Sequence, residues 1–231
     1  MKQTVSSQPH RRGSLSRERV LAAALDLADR EGVEGLTIRA LAVELSVKPM
    51  SLYHHVAGKE AILDGLVGQV FSEIDPPPVD LPWQDAIRVR CRSARAVLAR
   101  HPWATPLLES RTTPGEEILA HHEAVLACLR RGRLSLPLTA HAYAVIDSFV
   151  YGFALQEASL PAHGEAEIAD VAEQIVGAMD ADAYPHLVEL TREHVLRPGY
   201  SFGSSFEVGL DLLLDGLTAL AEQERRQTDV A

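Results

Sequence analysis

Apolar residues recur at helical spacing along most of the chain after residue 15. The first such segment begins at Ser16, whose side chain suits a helix N-cap, and it carries Val20, Leu27 and Ala28 on one stripe. Gly32 follows at a position where a C-cap glycine is common. The pattern therefore predicts an amphipathic first helix.

Three further helical segments precede a run of prolines. Thr37 suits the cap of a second helix, and Pro49 suits the first turn of a third, which ends near His55. Lys59 opens a longer fourth helix. Because a helix cannot continue through Asp75-Pro76-Pro77-Pro78, a domain boundary is expected near residue 75.

The remainder of the chain has the same periodicity. The segments expected to be helical are 83–100, 103–110, 116–131, 139–160, 165–179, 184–196 and 204–223. Aromatic residues make up only 5% of the chain, and runs of β-branched residues are few, which argues against a large sheet. The sequence therefore predicts an all-α protein.

Composition excludes several classes of protein. The chain has 231 residues, 46% of them hydrophobic, which is enough to bury a sizeable core. The apolar stretches are shorter than the ~18 residues expected of a membrane span, and the polar, basic N-terminus is unlike a signal peptide. Cys91 and Cys128 form neither a disulfide framework nor a CxxC pair. A cytoplasmic protein with reduced thiols and no membrane contact is expected.

Charge divides the chain into two parts. Residues 1–60 carry nine basic and seven acidic side chains, a net charge of +2. Residues 61–231 carry 13 and 25, a net charge of −12. Because a uniformly acidic protein is a poor partner for nucleic acid, a nucleic-acid contact is expected only from the N-terminal part.

Residues 37–56 have the pattern of a helix-turn-helix, in which a tight turn joins two short helices. The second of these helices is too polar for a core helix, since only Leu52, flanked by Val47 and Val56, can anchor it. The side chains left facing outward are Lys48, Met50, Ser51, Tyr53 and His54. A short helix that displays such residues fits the DNA major groove, which is ~12 Å wide.

Two helix starts flank this short helix. Lys59 lies at a helix N-terminus, where free backbone N–H groups and the helix dipole favour a phosphate, and Thr37 opens the second helix in the same way. Together with Tyr53 they are expected to hold the phosphates on either side of the groove.

Residues 16–65 resemble the N-terminal domain of the tetracycline-repressor (TetR) family of transcriptional regulators. The resemblance rests on Gly32-Val-Glu-Gly-Leu-Thr37, Leu41-Ala42, Leu52-Tyr-His-His-Val56 and Lys59-Glu-Ala-Ile-Leu63. The segment Phe206–Leu217 is similar, less specifically, to the last helix of the family's C-terminal domain. One departure is Ser46, where many members have glycine in the turn.

The resemblance implies roles for individual residues. Thr37, Tyr53 and Lys59 would bind backbone phosphates, and Arg39 would contact a base or a phosphate. The residues at the recognition-helix positions are Lys48, Pro49, Met50, Ser51 and His54. The expected organisation is a flexible basic arm at 1–15, where the chain is polar and lacks periodicity, a helix-turn-helix domain at 16–75, and a helical ligand-binding and dimerisation domain at 76–231.

A single helix-turn-helix reads too few base pairs to be selective, so a homodimer on a palindromic operator is expected. Two helices of the acidic part have the apolar faces that a dimer needs, and the resemblance implies that they form a four-helix bundle with the partner chain. The expected interface residues are Val145, Phe149, Gly152, Phe153, Leu210, Leu213, Leu214 and Leu217.

The resemblance also implies a cavity for a small-molecule effector between the helices of the acidic part. Amphipathic side chains are the candidates for its wall: Trp83, Cys91, His101, Trp103, His121, His122, Tyr143, Tyr151 and Glu157. Adjacent histidines on a helix point ~100° apart, so His121 and His122 are not expected to share a metal ion. No cofactor is expected.

The sequence therefore predicts a repressor that a ligand releases from double-stranded DNA. An activator or dual regulator of the same architecture is the first alternative. A helical enzyme is a second, although H-E-x-x-H and G-x-G-x-x-G motifs are missing from the sequence. A helical dimer that has lost DNA binding is a third, and the surface from Lys48 to Lys59 argues against it.

Overall fold

A computed structural model describes residues 14–109, 115–161 and 165–228, so most of the predicted basic arm lies outside the described residues. The described chain is helical throughout its regular structure and contains no strand in these ranges, which confirms the all-α prediction. The α-helices are α1 Arg17–Gly35, α2 Ile38–Glu44, α3 Pro49–Leu52, α4 Lys59–Ser72, α5 Trp83–Arg100, α6 Ala104–Glu109, α7 Glu116–Arg131, α8 Leu136–Ala158, α9 Glu165–Gly177, α10 Pro185–Leu190 and α11 Ser204–Thr228.

The chain forms two compact units, residues 1–66 and residues 67–231. The division falls inside α4, so this helix contributes residues to both units. Its first half buries Ile62, Leu63 and Leu66, and its second half buries Val67 and Val70.

The helix starts of the first unit are those that the sequence predicts. The Ser16 hydroxyl accepts a hydrogen bond from the Arg19 N–H at 3.3 Å, and the Thr37 hydroxyl accepts one from the Ala40 N–H at 3.1 Å. Each bond satisfies a backbone donor that a helix start leaves unpaired. Pro49 occupies the first turn of α3, where its missing N–H costs nothing.

The second unit is built around α8, which contacts α5, α6, α7 and α11. Contrary to the sequence-based expectation, this helix has the length and apolar composition of a membrane span. However, Ile146 and Val150 are fully buried against the surrounding helices, and the helix carries Asp147 on its inner side. Such burial is what a core helix of a globular unit shows, because its apolar side meets protein.

Some boundaries differ from those predicted. Helix α8 begins at Leu136 and not at Thr139, because the Ser135 hydroxyl caps it by accepting from the Leu138 N–H at 3.2 Å. The predicted helix over 184–196 ends at Leu190 and continues as a π-helical turn, Thr191–Val195. Such a turn inserts one extra residue into the helical repeat, and periodicity alone does not reveal it.

Candidate functional site

The turn between α2 and α3 is held by apolar side chains on both of its sides. Leu41 and Leu52 are completely buried, and Leu45 and Val56 are nearly so. Ser46 lies in the turn with a φ of 55°, in the left-handed region that favours glycine. This conformation gives a physical reason for the glycine that many TetR-family proteins have at this position.

The remaining side chains of α3 face outward. Met50 is 72% exposed and Tyr53 is 49% exposed, and Lys48, Pro49 and His54 are exposed as well. Ser51 is half-buried. An exposed methionine of this size has no partner to cover it in the described chain, whereas Leu52 on the opposite side of the same helix is buried. The helix is therefore anchored on one side and free to enter a groove on the other.

Thr37 and Arg39 lie at the exposed start of α2. The Thr37 oxygen accepts from the Ala40 N–H, so its own O–H remains available to donate to a phosphate oxygen. Arg39 lies on the outer side of the same turn of helix.

Lys59 opens α4 as predicted, but its ammonium group is partly engaged within the chain. The Nζ atom donates to the Val33 carbonyl oxygen at 3.1 Å, and the side chain is half-buried. An ammonium group has three donors, so Lys59 can hold α1 to α4 and still offer a proton to a phosphate.

The second unit contains a cavity of about 690 Å³, a volume typical of small-molecule sites. Its apolar wall comes from α4, α6, α7 and α8, and its polar wall comes mainly from α8. The lining residues among those described are Val67, Phe71, Thr105, Leu108, Ile118, His122, Tyr143, Asp147, Ser148, Tyr151, Gly152 and Leu155.

Behind the polar wall lies a buried arginine. Arg90 of α5 is completely buried, and its Nη1 atom is 2.9 Å from Asp147 Oδ1. The alignment of these two atoms is not that of a hydrogen bond, and neither has another hydrogen-bond partner among the described residues. The guanidinium also donates to His121 Nε2 at 3.1 Å and to the Tyr151 hydroxyl at 3.4 Å. The ion pair is what makes burial of this charge tolerable.

Burial opposes the charge of Arg90, but Asp147 and Tyr151 favour it more strongly, so the pKa of Arg90 is raised. Burial and the adjacent Arg90 lower the pKa of His121 to about 4. Burial likewise lowers the pKa of His122. Both imidazoles are therefore neutral near pH 7.

Tyr143 and His122 form a hydrogen bond on the cavity wall. Burial, with Asp147 nearby, raises the pKa of Tyr143, so the phenol keeps its proton. The Tyr143 hydroxyl and His122 Nδ1 share this hydrogen bond, and the same hydroxyl also hydrogen-bonds with Asp147. The wall thus presents neutral aromatic groups around one carboxylate.

Only part of the predicted ligand set meets at this cavity. Tyr143, Tyr151 and His122 line it, and His121 lies directly behind them on Arg90. The sequence-based interpretation missed Arg90 and Asp147. A signal was present, since each residue interrupts an otherwise apolar helical stripe.

The other predicted ligand residues do not line the cavity. Trp83 packs on Gly132, where an added Cβ would lie 2.4 Å from the indole ring. His101 contacts Glu73 and the Trp103 ring. Glu157 forms an ion pair with Arg95 at 2.6 Å. These residues and the buried Cys91 hold helices together, which their residue types alone do not distinguish from ligand binding.

The residues predicted to form the dimer interface fall into a buried group and an exposed group. Phe153, Leu210, Leu214 and Leu217 are buried in the core of their own chain, so they offer no surface to a partner. The other four retain exposure: Val145, Phe149, Gly152 and Leu213. The outer side of α11 also exposes two apolar side chains that the sequence-based prediction did not include, Val208 and Leu212.

The two adjacent histidines are used separately, His121 by Arg90 and His122 by Tyr143. Their ring planes are 74° apart. In the described ranges, no group of three His, Cys, Asp or Glu side chains is placed to hold a metal ion.

Both parts of the chain match described protein families. Residues 20–66 match the family described as bacterial regulatory proteins, tetR family, and residues 76–221 match the tetracyclin repressor-like C-terminal domain. The HTH-type transcriptional repressor DrrR1 of Streptomyces coeruleorubidus is 32% identical, over 93% of this chain and 82% of that protein. The class A tetracycline repressor from transposon 1721 of Escherichia coli is 30% identical, over 86% and 88%.

Solved structures show the same fold. Apo ActR from Streptomyces coelicolor superposes with a TM-score of 0.76 at 28% identity, over 92% of this chain and 99% of that one. ActR in complex with actinorhodin superposes with a TM-score of 0.75 at 28% identity, over 90% and 99%.

Proposed function

Because the chain belongs to the TetR family of bacterial transcriptional regulators, which are not enzymes, we propose that it is a cytoplasmic repressor that a small molecule releases from DNA. It binds a palindromic operator as a homodimer. The observation that carries the proposal is the outward side of α3, exposed at Met50 and Tyr53 and anchored from behind by Leu52.

Helix α3 is the element that enters the major groove. Met50 is the apolar side chain able to meet a thymine methyl group, and Lys48 can reach a base edge or a phosphate. Thr37, Tyr53 and Lys59 contact phosphates on either side and set the orientation of the helix. Arg39 contacts a base or a phosphate beside them.

The homodimer forms through the outer sides of α8 and α11, which pack on each other within the chain. Val208 and Leu212 are 62% and 71% exposed, and Leu220 and Val145 are also exposed. An isologous contact between two copies would cover all of these residues at once. The buried leucines of α11 support this surface from behind.

Helix α4 is the element through which a bound ligand weakens DNA binding. This helix begins at Lys59, which bonds the end of α1, and its Val67 and Phe71 line the cavity. A ligand that binds better to one position of α4 weakens DNA binding by that difference in affinity. ActR, which has been solved with actinorhodin and with (S)-DNPA, supports a small-molecule role for the corresponding unit here.

Selection of bound duplexes from random DNA tests this function. The expected product has two symmetric half-sites whose centres lie about ten base pairs, or a multiple, apart. Tyr53→Ala should weaken binding to the selected duplex, whereas Tyr184→Ala, at a tyrosine of similar exposure in the other unit, should not. A selection that enriches no sequence from the wild-type protein would contradict the proposal.

A further inference from the structure

We infer that the 690 Å³ cavity takes an uncharged, planar aromatic molecule, oriented by a hydroxyl group that donates to Asp147; this rests on the proposed function of the same unit. The shape, charge and hydrogen-bonding capacity of the cavity wall each restrict the ligand.

The wall is divided by polarity. One side consists of the apolar side chains Val67, Phe71 and Ile118, and the opposite side carries Tyr143 and Asp147. A flat molecule with an apolar face and a polar edge satisfies both sides. Phe71 contacts two imidazoles: its ring meets His121 edge-on at a centroid distance of 5.3 Å, and it lies 6.0 Å from the His122 ring at a tilt of 56°. A rigid aromatic wall of this kind favours a planar ligand.

The charge of the wall excludes strongly ionised ligands. Asp147 is the only acidic or basic side chain among the described lining residues besides the neutral His122. Its charge is offset by Arg90, which lies behind it without surface exposure. A ligand carboxylate would meet the Asp147 carboxylate with no cation on the wall, and a ligand ammonium would meet a carboxylate that already has its partner.

The chemistry of Asp147 determines which partner donates the hydrogen bond between the protein and the ligand. A carboxylate only accepts hydrogen bonds, so the ligand must supply the donor. Tyr143 is engaged with His122, and Tyr151 receives a proton from Arg90 at 3.4 Å. Tyr143 also hydrogen-bonds with Asp147, but a carboxylate has about four lone-pair sites, so the remaining sites need a donor from the ligand. A neutral phenol or alcohol meets this need without adding charge.

Three probes of one ring size test the inference: 2,6-dihydroxynaphthalene, 2-naphthoate and 2-naphthylmethylammonium. Their affinities are measured by titration calorimetry on the full-length protein without DNA. The diol should bind at least roughly tenfold more tightly than either charged probe, as expected for one hydrogen bond to a charged acceptor. Equal affinities, or a preference for either charged probe, would overturn the inference.

Asp147→Asn should invert the order, because the unpaired Arg90 then favours 2-naphthoate over the diol. If that variant does not fold, the double variant Arg90→Met, Asp147→Leu removes the pair together and should bring the diol to within about twofold of naphthalene, since no charged acceptor remains. Glu157→Gln, at a carboxylate outside this cavity, should keep the wild-type order. An unchanged preference in Asp147→Asn, or in the double variant, would overturn the assignment of Asp147.

A gel shift on the selected duplex separates this inference from the proposed function. Release of DNA by the naphthoate and not by the diol would support the proposed function as a repressor and overturn the inferred ligand class. Specific binding of the diol by a protein that binds no duplex would uphold the ligand class and contradict the proposed function.

Discussion

Ser46 holds a backbone conformation that costs serine more than glycine. Its φ of 55° places it in the left-handed region, where a Cβ atom costs about 1 kcal/mol. Ser46→Gly should therefore raise the free energy of unfolding by about 0.5 kcal/mol, after the larger chain entropy of glycine is deducted. Urea unfolding of both proteins measures the change. Ser159→Gly, at a helix end with a φ of −91°, should lower stability. Destabilisation by Ser46→Gly would contradict the reading of this turn.

His121 makes stability depend on pH. Its pKa is about 4 in the folded protein, lowered by burial and by Arg90 from an ordinary value of 6.5. Between these values the unfolded chain binds a proton that the folded chain does not, so stability falls as the pH falls. The loss at about pH 5 is about 2 kcal/mol relative to neutral pH.

His121→Gln should remove most of this loss while keeping an acceptor for Arg90. The measurement is the free energy of unfolding in urea at about pH 7.5 and about pH 5. His141→Gln, at an exposed histidine of α8, is the matched control and should retain the wild-type loss. An identical pH dependence in wild type and His121→Gln would refute the assignment.

The sequence predicts the position of a side chain when that position depends only on the residue's own helix. It does not do so when the position depends on packing against a second helix. The outward positions of Met50 and Tyr53 follow from the spacing around Leu52 within one short helix. The burial of Arg90 depends on Asp147, 57 positions along the chain, and no local pattern relates the two. Trp83 lies away from the cavity for the same reason, since its ring packs on Gly132 of another segment.

At the scale of elements, α5 is joined to α8 and α11 by arginines that differ in burial. Arg92 makes a two-pronged contact with Glu207, with nitrogen–oxygen distances of 2.6 to 3.1 Å, but both side chains are largely exposed. Arg95 pairs with Glu157 and also lies 5.1 Å and 4.9 Å from the ring centroids of Phe153 and Phe206. These arginines therefore join helices of the same chain.

Replacing each arginine by methionine separates these contributions. Arg92→Met should cost within about 0.5 kcal/mol, because exposed ion pairs contribute little. Arg95→Met should cost about 1 to 2 kcal/mol, because it also removes the contacts with two aromatic faces and leaves Glu157 half-buried. Urea unfolding of both variants provides the comparison, and equal costs would show that the aromatic contacts add nothing.

The sequence predicted elements best where a residue with a specific role marks the boundary. Ser16, Thr37 and Pro49 each begin the helix that their chemistry indicates. The start of α8 was placed too late because the apolar face was followed and the Ser135 cap was not. The π-helical turn after α10 depends on local packing and leaves no signal in the periodicity.

At the scale of the whole molecule, the proposed homodimer determines whether a palindrome can be read. Leu212 is the most exposed leucine of α11, and Leu212→Glu would place a charge at the centre of the proposed contact. The variant should sediment with the mass of one chain at concentrations where the wild type has the mass of two. Leu119→Glu, at an exposed leucine of α7, is the control and should remain dimeric. Equal masses for wild type and Leu212→Glu would place the contact elsewhere.

The uneven charge of the molecule concentrates DNA binding on the first unit. The chain as a whole carries −10, so long-range attraction is weak and individual cations at the groove have large effects. Lys48 is exposed at the N-cap position of α3, where its side chain makes no capping hydrogen bond. Its replacement therefore changes DNA contact without a large effect on the fold.

The most direct test is the salt dependence of Kd for the selected duplex, measured by fluorescence anisotropy between roughly 50 and 200 mM salt. Wild type should lose affinity steeply, and Lys48→Gln should flatten the slope of log Kd against log salt by about one unit for each copy bound. Arg226→Gln, at an exposed arginine of α11, should leave the slope unchanged. A wild-type protein that binds no duplex at low salt, or a slope that Lys48→Gln does not alter, would contradict the placement of α3 in the groove.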